Sequence, residues 1–595
     1  MRVAHIRLQW LITGWFVALA LACAAVVPPF ENPDEAPHFL YAHYLQQHGA
    51  LPRIATLDEI NNASTPAVRW AVQNHHPPLY YALAALVISP FSRSDLDSVL
   101  TTNPLIGRFG VQNQWALWLA DASAGPAGTR GALLALRLVN IALGAAVLWL
   151  VHAAARLAFA PGGGALPLLA MFLAASSPAF ILVCASASND PLLILCFALG
   201  GWGCLIAWRR QALSPGVAAL LAAAVVGAAL TKLTGLALGV ALAGGLLLGA
   251  RLGRLTWQAA LGWVLLAAVA LLLGAGWWYA RNQALYGDPF ALAATQNVWQ
   301  RPALLSLAEW PTELARIWHT LWVPAGLGNR LLPHPSWLLA AAAALALVAA
   351  CGALRVLRCA PRDVQALAAW CAGVCALALA VVVWGTLRVD VSYGRLLFPA
   401  AVAFWPLAAY GLWGAAGRWA GLLAVPLALA CLLMPLVYLP QAYPPLLRWQ
   451  QAPADLLAFG WQTGSPTEGG FVPDGFVIEG ARVRDRGQRV EVFFRGAQHA
   501  NAAFSVALVD LADAAAPVRL SDLVQYPANT RTDTLVPGQL YSAIFHLPQP
   551  AAAPSDTAVL TLQVVSLAGE YASIALGAPD GSTHKTLTIP LPPAP

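Results

Sequence analysis

Charge is what this sequence has least of. Only 10% of its 595 residues are Asp, Glu, Lys or Arg, where a water-soluble chain carries about 25%. That shortage excludes a soluble enzyme. Lysine is nearly absent: of 33 basic residues, only Lys232 and Lys585 are lysines. The net charge of +6 sits as arginines in short loops between apolar runs, so it requires no polyanion and leaves no role for nucleic acid. The nine cysteines lie in or beside apolar segments, apart from Cys359 in a basic loop. Cys371 and Cys375 lack the second half of a zinc motif and read as small apolar residues of a helix. Beyond residue 455 there is no cysteine, so that region folds without disulfides. A Gly-rich phosphate loop and a soluble nucleotide-binding domain are missing too. What the sequence does have is apolar surface, with 59% hydrophobic residues and a mean hydropathy of +0.64. It is a polytopic membrane protein.

Leu8–Val27 carries no charge and is long enough to cross ~30 Å of hydrocarbon as a helix. The alternative is a cleaved signal peptide with Cys23-Ala24-Ala25 at its end, but the run is long for one. Further spans are predicted at 132–150, 165–183, 192–208, 216–230, 233–249, 257–275, 337–354, 364–385, 398–415 and 419–439, about eleven in all. Arg2, Arg7, Arg156, Arg209, Arg210, Arg251, Arg254, Arg355, Arg358, Arg362 and Arg418 occupy alternate connections. By the positive-inside rule these are cytoplasmic. The amino terminus is then inside the cell membrane, and the carboxyl-terminal region lies outside it.

Three long segments fall on the outer side: 28–130, 277–336 and everything after 439. Within the first, Leu79–Ile88 is apolar but too short to span, and reads as an interfacial or re-entrant helix. After a Pro-rich linker at 439–445, period-two strings such as Arg489–Phe494 and Phe504–Val509 alternate with Pro-, Gly- and Asp-rich turns. They predict an extracytoplasmic antiparallel β-sandwich over 455–595. The fold class is thus mostly α, a transmembrane domain over 1–445 followed by a small β domain.

Polar residues beside a membrane are costly and mark function. Asp34 and Glu35 follow the first span, between Pro33 and Pro37, which stiffen the turn. Partial desolvation at that depth makes a carboxylate a better base. Acids at a helix start, favoured by the macrodipole, are the alternative. Asn74-His75-His76-Pro77-Pro78 opens the short apolar helix and leaves imidazoles at the interface, as phosphate or sugar contacts or as solvated turn residues. Asp190 begins one span. Lys232 sits at the outer edge of a tight helical hairpin, as an anion ligand or a snorkelling side chain. Arg281 and the string Tyr393-Gly394-Arg395 complete an outer surface of isolated cations beside acids and aromatics. That mixture suits an anionic headgroup and a sugar.

In order along the chain, Asn32-Pro33-Asp34-Glu35, His76-Pro77-Pro78-Leu79-Tyr80-Tyr81, Arg137-Leu138-Val139-Asn140, Leu230-Thr231-Lys232, Arg281-Asn282 with Tyr286-Gly287-Asp288-Pro289, and Tyr393-Gly394-Arg395 with Phe398-Pro399 resemble the motifs of the GT-C superfamily of integral membrane glycosyltransferases. The resemblance is nearest to bacterial membrane proteins related to protein O-mannosyltransferases and the lipid A aminoarabinose transferase. It covers roughly 8–439 and leaves the β-rich tail outside.

This resemblance implies that Asp34 is the catalytic base with Glu35 as its neighbour. It implies that His75 and His76 stand beside the donor phosphate, where some relatives have Lys, and that Lys232 contacts that phosphate. Asp190 matches a second outer-loop acid, and Arg281, Tyr393 and Arg395 lie near the donor. The implied donor is a polyprenyl-phosphate-linked sugar and the acceptor a hydroxyl of a glycan, lipid or protein. The implied chemistry is one inverting displacement. No cofactor is required, and a divalent cation could assist without any motif indicating one. A transporter or flippase of lipid-linked glycans would share the span count, but would place charges or broken helices at the midplane. A metal-dependent hydrolase would need a ligand spacing that the histidines near Glu35 lack. A glycan-binding scaffold in which the tail binds is a further, non-enzymatic alternative.

Overall fold

The computed structural model describes residues 2–63, 72–100, 128–160, 164–298, 305–327, 331–389, 391–443, 447–467, 470–484, 489–496, 504–510, 538–546, 559–566, 575–577, 583–584 and 586–590. Of the long loop 28–130, residues 64–71 and 101–127 lie outside the described set. The chain divides into two compact units. The first holds Met1–Val27, Asn32–Ser92 and Gly131–Tyr438; the second holds Pro28–Glu31, Arg93–Arg130 and Leu439–Pro595.

The first unit is helical. In chain order it contains α1 (Arg2–Val26), α2 (Glu35–His48), α3 (Leu79–Ile88), α4 (Thr129–Phe159), α5 (Leu166–Ala175), α6 (Pro178–Cys184), α7 (Asp190–Arg210), α8 (Pro215–Ala229), α9 (Ala237–Arg251), α10 (Trp257–Gly274), α11 (Gly276–Tyr286), α12 (Trp310–Trp322), α13 (Leu338–Leu357), α14 (Arg362–Thr386), α15 (Ala401–Ala416) and α16 (Val425–Leu433). Among the described residues eight helices are long and apolar enough to cross a membrane, and nine if the bent pair α5–α6 counts as one span. The chain is an integral membrane protein.

By helix length, two places depart from the expected eleven. The segment at 216–230 forms α8, whose 15 residues reach only about 22 Å at 1.5 Å per residue. The two spans expected at 398–415 and 419–439 form one apolar run, Gly394–Ala442, interrupted where Gly417 takes a φ of +55°. The span at 165–183 is broken by 67° between α5 and α6. The short apolar helix expected over Leu79–Ile88 forms over those residues as α3.

Small residues set the closest packing. α13 and α15 meet at Gly352 and Gly411, where a Cβ on Gly411 would run into the Ala349 carbonyl and one on Gly352 into the Gly411 carbonyl. Close backbone approach of this kind replaces the hydrophobic drive that helices lack in lipid. α7 is the most enclosed span, and α10 the least, with Leu265, Leu272 and Leu273 exposed. An exposed leucine face on a span is a lipid-facing surface.

The ends of the spans are chemically unlike. α7 begins at Asp190 and ends at Arg209-Arg210, and α9 follows the Lys232–Leu236 turn and ends at Arg251. α14 begins at Arg362 and ends just before Tyr393-Gly394-Arg395. Arg209 caps the carboxyl end of α4 through the Leu157 and Ala158 carbonyls, at 2.5 and 3.0 Å, and Arg254 pairs with Asp363. One set of helix ends therefore carries loop arginines, and the other carries the acids and isolated cations.

The second unit holds the strands. One antiparallel sheet contains β1 (Leu447–Trp449), β2 (Leu457–Thr467), β3 (Gly470–Arg484), β4 (Arg489–Gly496), β6 (Leu540–His546), β8 (Ala575–Gly577) and β9 (Thr583–His584), in the order β1-β6-β4-β3-β2-β8-β9. The other is β10-β7-β5, from β5 (Phe504–Asp510), β7 (Val559–Ser566) and β10 (Thr586–Pro590). The period-two strings thus form strands. Because Leu447–Trp449 already pairs with Leu540–Ser542, the β-rich region starts before residue 455. Glu491 is buried within it and accepts from Arg482 Nε at 2.7 Å and Ser542 Oγ at 2.6 Å.

Candidate active site

Two adjacent acids take opposite directions. Asp34 has a φ of +59°, in the left-handed region, and stands just before α2. That conformation costs an L-residue about 1–2 kcal/mol, and such strain collects at functional sites. It lets the Asp34 carboxylate face open space, 25% exposed, while Glu35 is 0% exposed. Glu35 accepts from Arg137 Nε at 2.8 Å and Nη2 at 2.7 Å, from the Ala187 backbone at 2.9 Å and from Asn32 at 3.3 Å. Arg137 in turn donates to the Ala24 and Val27 carbonyls at the end of α1, both at 2.8 Å. Glu35, expected beside Asp34 in the chemistry, is instead the hub that ties α1, α2, α4 and the Ala187 turn together. A buried carboxylate must be satisfied in this way.

The turn Gln73–His76 and the start of α3 build a shelf above Asp34. The His76 N–H donates to the Gln73 carbonyl at 3.2 Å and Leu79 N–H to the Leu230 carbonyl at 2.9 Å, which fixes α3 against the α8 end. His38 Nδ1 lies 2.7 Å from the Tyr81 hydroxyl, and its ring stacks at 5.7 Å on His76. Tyr41 stacks on Tyr81 at 3.8 Å and donates to the His76 carbonyl at 3.2 Å. Asn189 links Tyr81 to the Thr231 carbonyl, at 3.4 and 3.2 Å. Burial pushes His38 down to about 3, with Asp34 opposing the shift and Lys232 adding to it. Burial and then Lys232 take His75 down to about 4, and burial with the neighbouring His75 holds His76 well below its ordinary value. Held this low, the three imidazoles are neutral hydrogen-bonding groups at pH 7.

The charges come from elsewhere. Lys232 has extended backbone before the 3₁₀ turn Leu233–Leu236 and reaches Asp190, the first residue of α7, at 2.7 Å. Arg395 lies in the 3₁₀ segment Gly394–Ala400, pairs with Asp34 and sits 5.6 Å over the Tyr393 ring. That segment is held by α12. Thr320 Oγ1 accepts from the Gly394 N–H at 2.6 Å, Ser392 donates to Glu313, and a Cβ on Gly394 would collide with the α12 backbone at Ile317 and Leu321. Two ion pairs, Arg395–Asp34 and Lys232–Asp190, therefore face each other across one site.

They line a cavity of about 270 Å³ together with His38, His75 and His76. Its polar end passes into an apolar wall from α7 and α14, including Leu193, Phe197, Val374, Leu377 and Val381. The cavity brings together Asp34, His75, His76, Asp190, Lys232, Tyr393 and Arg395. Glu35 and Arg281 do not line it. Arg281 on α11 holds the Leu51 and Pro52 carbonyls at 3.2 and 2.8 Å and lies 5.2 Å from the Trp278 ring centre. Polar lining residues that sequence reasoning did not place in the site are His38, Gln73, Ser188, Thr234 and Thr295. Gln73 precedes the Asn74-His75-His76 motif directly, and only that adjacency could have pointed to it.

No protein-family model matches the chain, and no curated protein matches it. Among solved structures it is similar to ArnT from Cupriavidus metallidurans bound to undecaprenyl phosphate, with 16% identity, 67% of this chain and 60% of that one covered, and a TM-score of 0.40. It is also similar to the Archaeoglobus fulgidus oligosaccharyltransferase in its apo form, with 13% identity, 69% and 50% covered and a TM-score of 0.38. A third is archaeal oligosaccharyltransferase AglB from Archaeoglobus fulgidus in complex with an inhibitory peptide and a dolichol-phosphate, with 10% identity, 68% and 50% covered and a TM-score of 0.34. The chain thus spans about 60% of the first and half of the other two. These are GT-C glycosyltransferases, the superfamily whose motif order this sequence resembles. At such identities and TM-scores the chemistry of the site rests on its own residues.

Proposed function

We propose that this protein is a membrane glycosyltransferase that moves a sugar from a polyprenyl-phosphate donor to a hydroxyl acceptor on the extracytoplasmic side, with inversion. The observation that supports it most is the cavity itself: two carboxylates and two cations at its polar end, continuous with an apolar wall. A lipid-linked phosphate has that same division. The arginines at the opposite helix ends favour the orientation, with the amino terminus cytoplasmic and the site outside the inner membrane. The same orientation puts the β-rich tail that begins with β1 outside, as an extracytoplasmic β-sandwich.

Lys232 and Arg395 carry the phosphate in this reading. An arriving phosphate competes with Asp190 and Asp34 for them, and in taking Arg395 it releases Asp34. The acceptor oxygen then attacks the anomeric carbon as its proton passes to Asp34. The carbon–oxygen bond to the phosphate breaks, and its electron pair leaves with the polyprenyl phosphate. Cations already in position stabilise that developing charge. The neutral His75 and His76 donate hydrogen bonds beside it, and Tyr393 holds the Arg395 guanidinium. Glu35 positions Asp34 without touching substrate, and Arg281 braces the Leu51-Pro52 segment outside the cavity.

The test is transfer in proteoliposomes supplied with labelled undecaprenyl-phosphate sugars and a membrane extract as acceptor source. Asp34→Asn should bind undecaprenyl phosphate at least as tightly as the wild type and transfer at least ~10²-fold more slowly, the range for a lost general base. Wild-type rates in Asp34→Asn would remove the base.

A further inference from the structure

Gln73 is the one cavity-lining side chain among the described residues with a buried oxygen that nothing satisfies. The residue is 7% exposed, and its side-chain carbonyl Oε1 has no hydrogen-bond partner. Leaving such a group unpaired costs about 1–3 kcal/mol, so a partner that arrives with the ligand recovers that cost. The backbone cannot turn the residue away: the His76 N–H is bonded to the Gln73 carbonyl at 3.2 Å, and His76 is itself fixed by Tyr41 and by stacking on His38. Gln73 therefore stands on the same wall as His75 and His76, facing the cavity that holds Asp34, Lys232 and Arg395.

We propose that Gln73 is a specificity-determining residue whose side-chain carbonyl accepts a hydrogen bond from a ring hydroxyl of the donor's sugar, and that this sugar is a polyhydroxy sugar without a carboxylate. The inference rests on the polyprenyl-phosphate reading above and adds what that reading leaves open, the class of sugar. With the phosphate on Lys232 and Arg395, the charges left at the polar end are Asp34 and Asp190, and the imidazoles beside them carry none. A carboxylated sugar would meet two carboxylates and an amide oxygen with no free cation to pair it. A hydroxyl finds an acceptor in Gln73 and further partners in Ser188 and Thr234, which line the same space. A site built to bond a hydroxyl also rejects an analogue without it, because its own polar group is then stranded.

The test uses the full-length protein in nanodiscs and measures binding of five probes: undecaprenyl phosphate, and undecaprenyl phosphate carrying glucose, mannose, galactose or glucuronate. The wild type should bind the bare lipid phosphate, bind at least one hexose form more tightly, and bind the glucuronate form at least ~10-fold more weakly than that hexose form, as like charges brought together predict. Gln73→Leu should hold bare undecaprenyl phosphate as the wild type does, which shows that it folds, while losing about tenfold on the preferred hexose form. Gln73→Glu, which keeps an acceptor oxygen, should restore the hexose preference. Equal hexose binding by Gln73→Leu and wild type, no hexose preferred over the bare lipid, or glucuronate bound as well as the best hexose, would each overturn the inference and leave the lipid-phosphate site standing. A wild type that binds no undecaprenyl phosphate would overturn both.

Discussion

At the scale of single residues, the most informative contrast is between Asp34 and Glu35. Both were visible as acids after the first span, and their adjacency suggested a shared task. The sequence could not separate them, because the separation comes from the left-handed backbone at Asp34 and from Arg137, far away in the chain. Removing either partner of a buried ion pair strands the other, at a cost of about 3–5 kcal/mol. Glu35→Gln and Arg137→Met should therefore lower the unfolding temperature in detergent by many degrees, whereas Asp34→Asn should shift it little, since the Asp34–Arg395 pair is partly exposed. A Glu35→Gln protein as stable as the wild type would contradict the bracing role. The histidines supply a pH signature. His75 is depressed to about 4 in the folded protein, so between its ordinary pKa near 6.5 and about 4 the unfolded chain takes up a proton that the folded one refuses. Stability is then full above pH 6.5 and falls as the solution is acidified. Thermal unfolding between pH 7 and pH 4 should record that loss, and His75→Gln should reduce its slope.

At the scale of elements, the short apolar helix at Leu79–Ile88 was legible because ten apolar residues cannot span and a His-Pro-Pro start fixes where the helix begins. α12 was not legible: it lies in what read as an outer loop, and only its packing explains its presence. Its backbone touches Gly394 so closely that no side chain fits there, and Thr320 and Glu313 hold the residues on either side of the turn. α12 thus sets where Arg395 stands. Gly394→Ala should push the segment off α12, weaken undecaprenyl phosphate binding and lower transfer in parallel, by about tenfold or more if one charge-assisted contact is lost. Gly411→Ala, at the α13–α15 crossing, is the comparison. It should cost about 1–3 kcal/mol of stability through overpacking, with transfer per folded molecule unchanged. If Gly394→Ala only lowers stability and leaves lipid binding intact, α12 has no positioning role. The span count shows the limit of hydropathy. α8 is short for a crossing, yet it joins the Arg209-Arg210 end of α7 to Lys232, which pairs with Asp190 at the other end, and the 49-residue Gly394–Ala442 run is broken at Gly417.

At the scale of the whole molecule, what could be read in advance was sidedness. Arginine-bearing connections alternated with those bearing isolated acids and cations, so Asp34, Asp190, Lys232 and Arg395 were expected on one face before any contact was known. Their pairing could not be read, because it joins residues from four separate stretches of chain. Nor could the way α7 and α14 join an apolar wall to that polar end. The central claim is that one cavity receives both halves of a lipid-linked phosphate. The measurement that tests it most directly is an electron cryomicroscopy structure of the full chain in nanodiscs with undecaprenyl phosphate. The account predicts the phosphate between Lys232 and Arg395, Asp34 released from Arg395, and the prenyl chain along Leu193, Phe197 and Val381. A phosphate bound away from Lys232 and Arg395, or a prenyl chain that leaves this cavity empty, would contradict it.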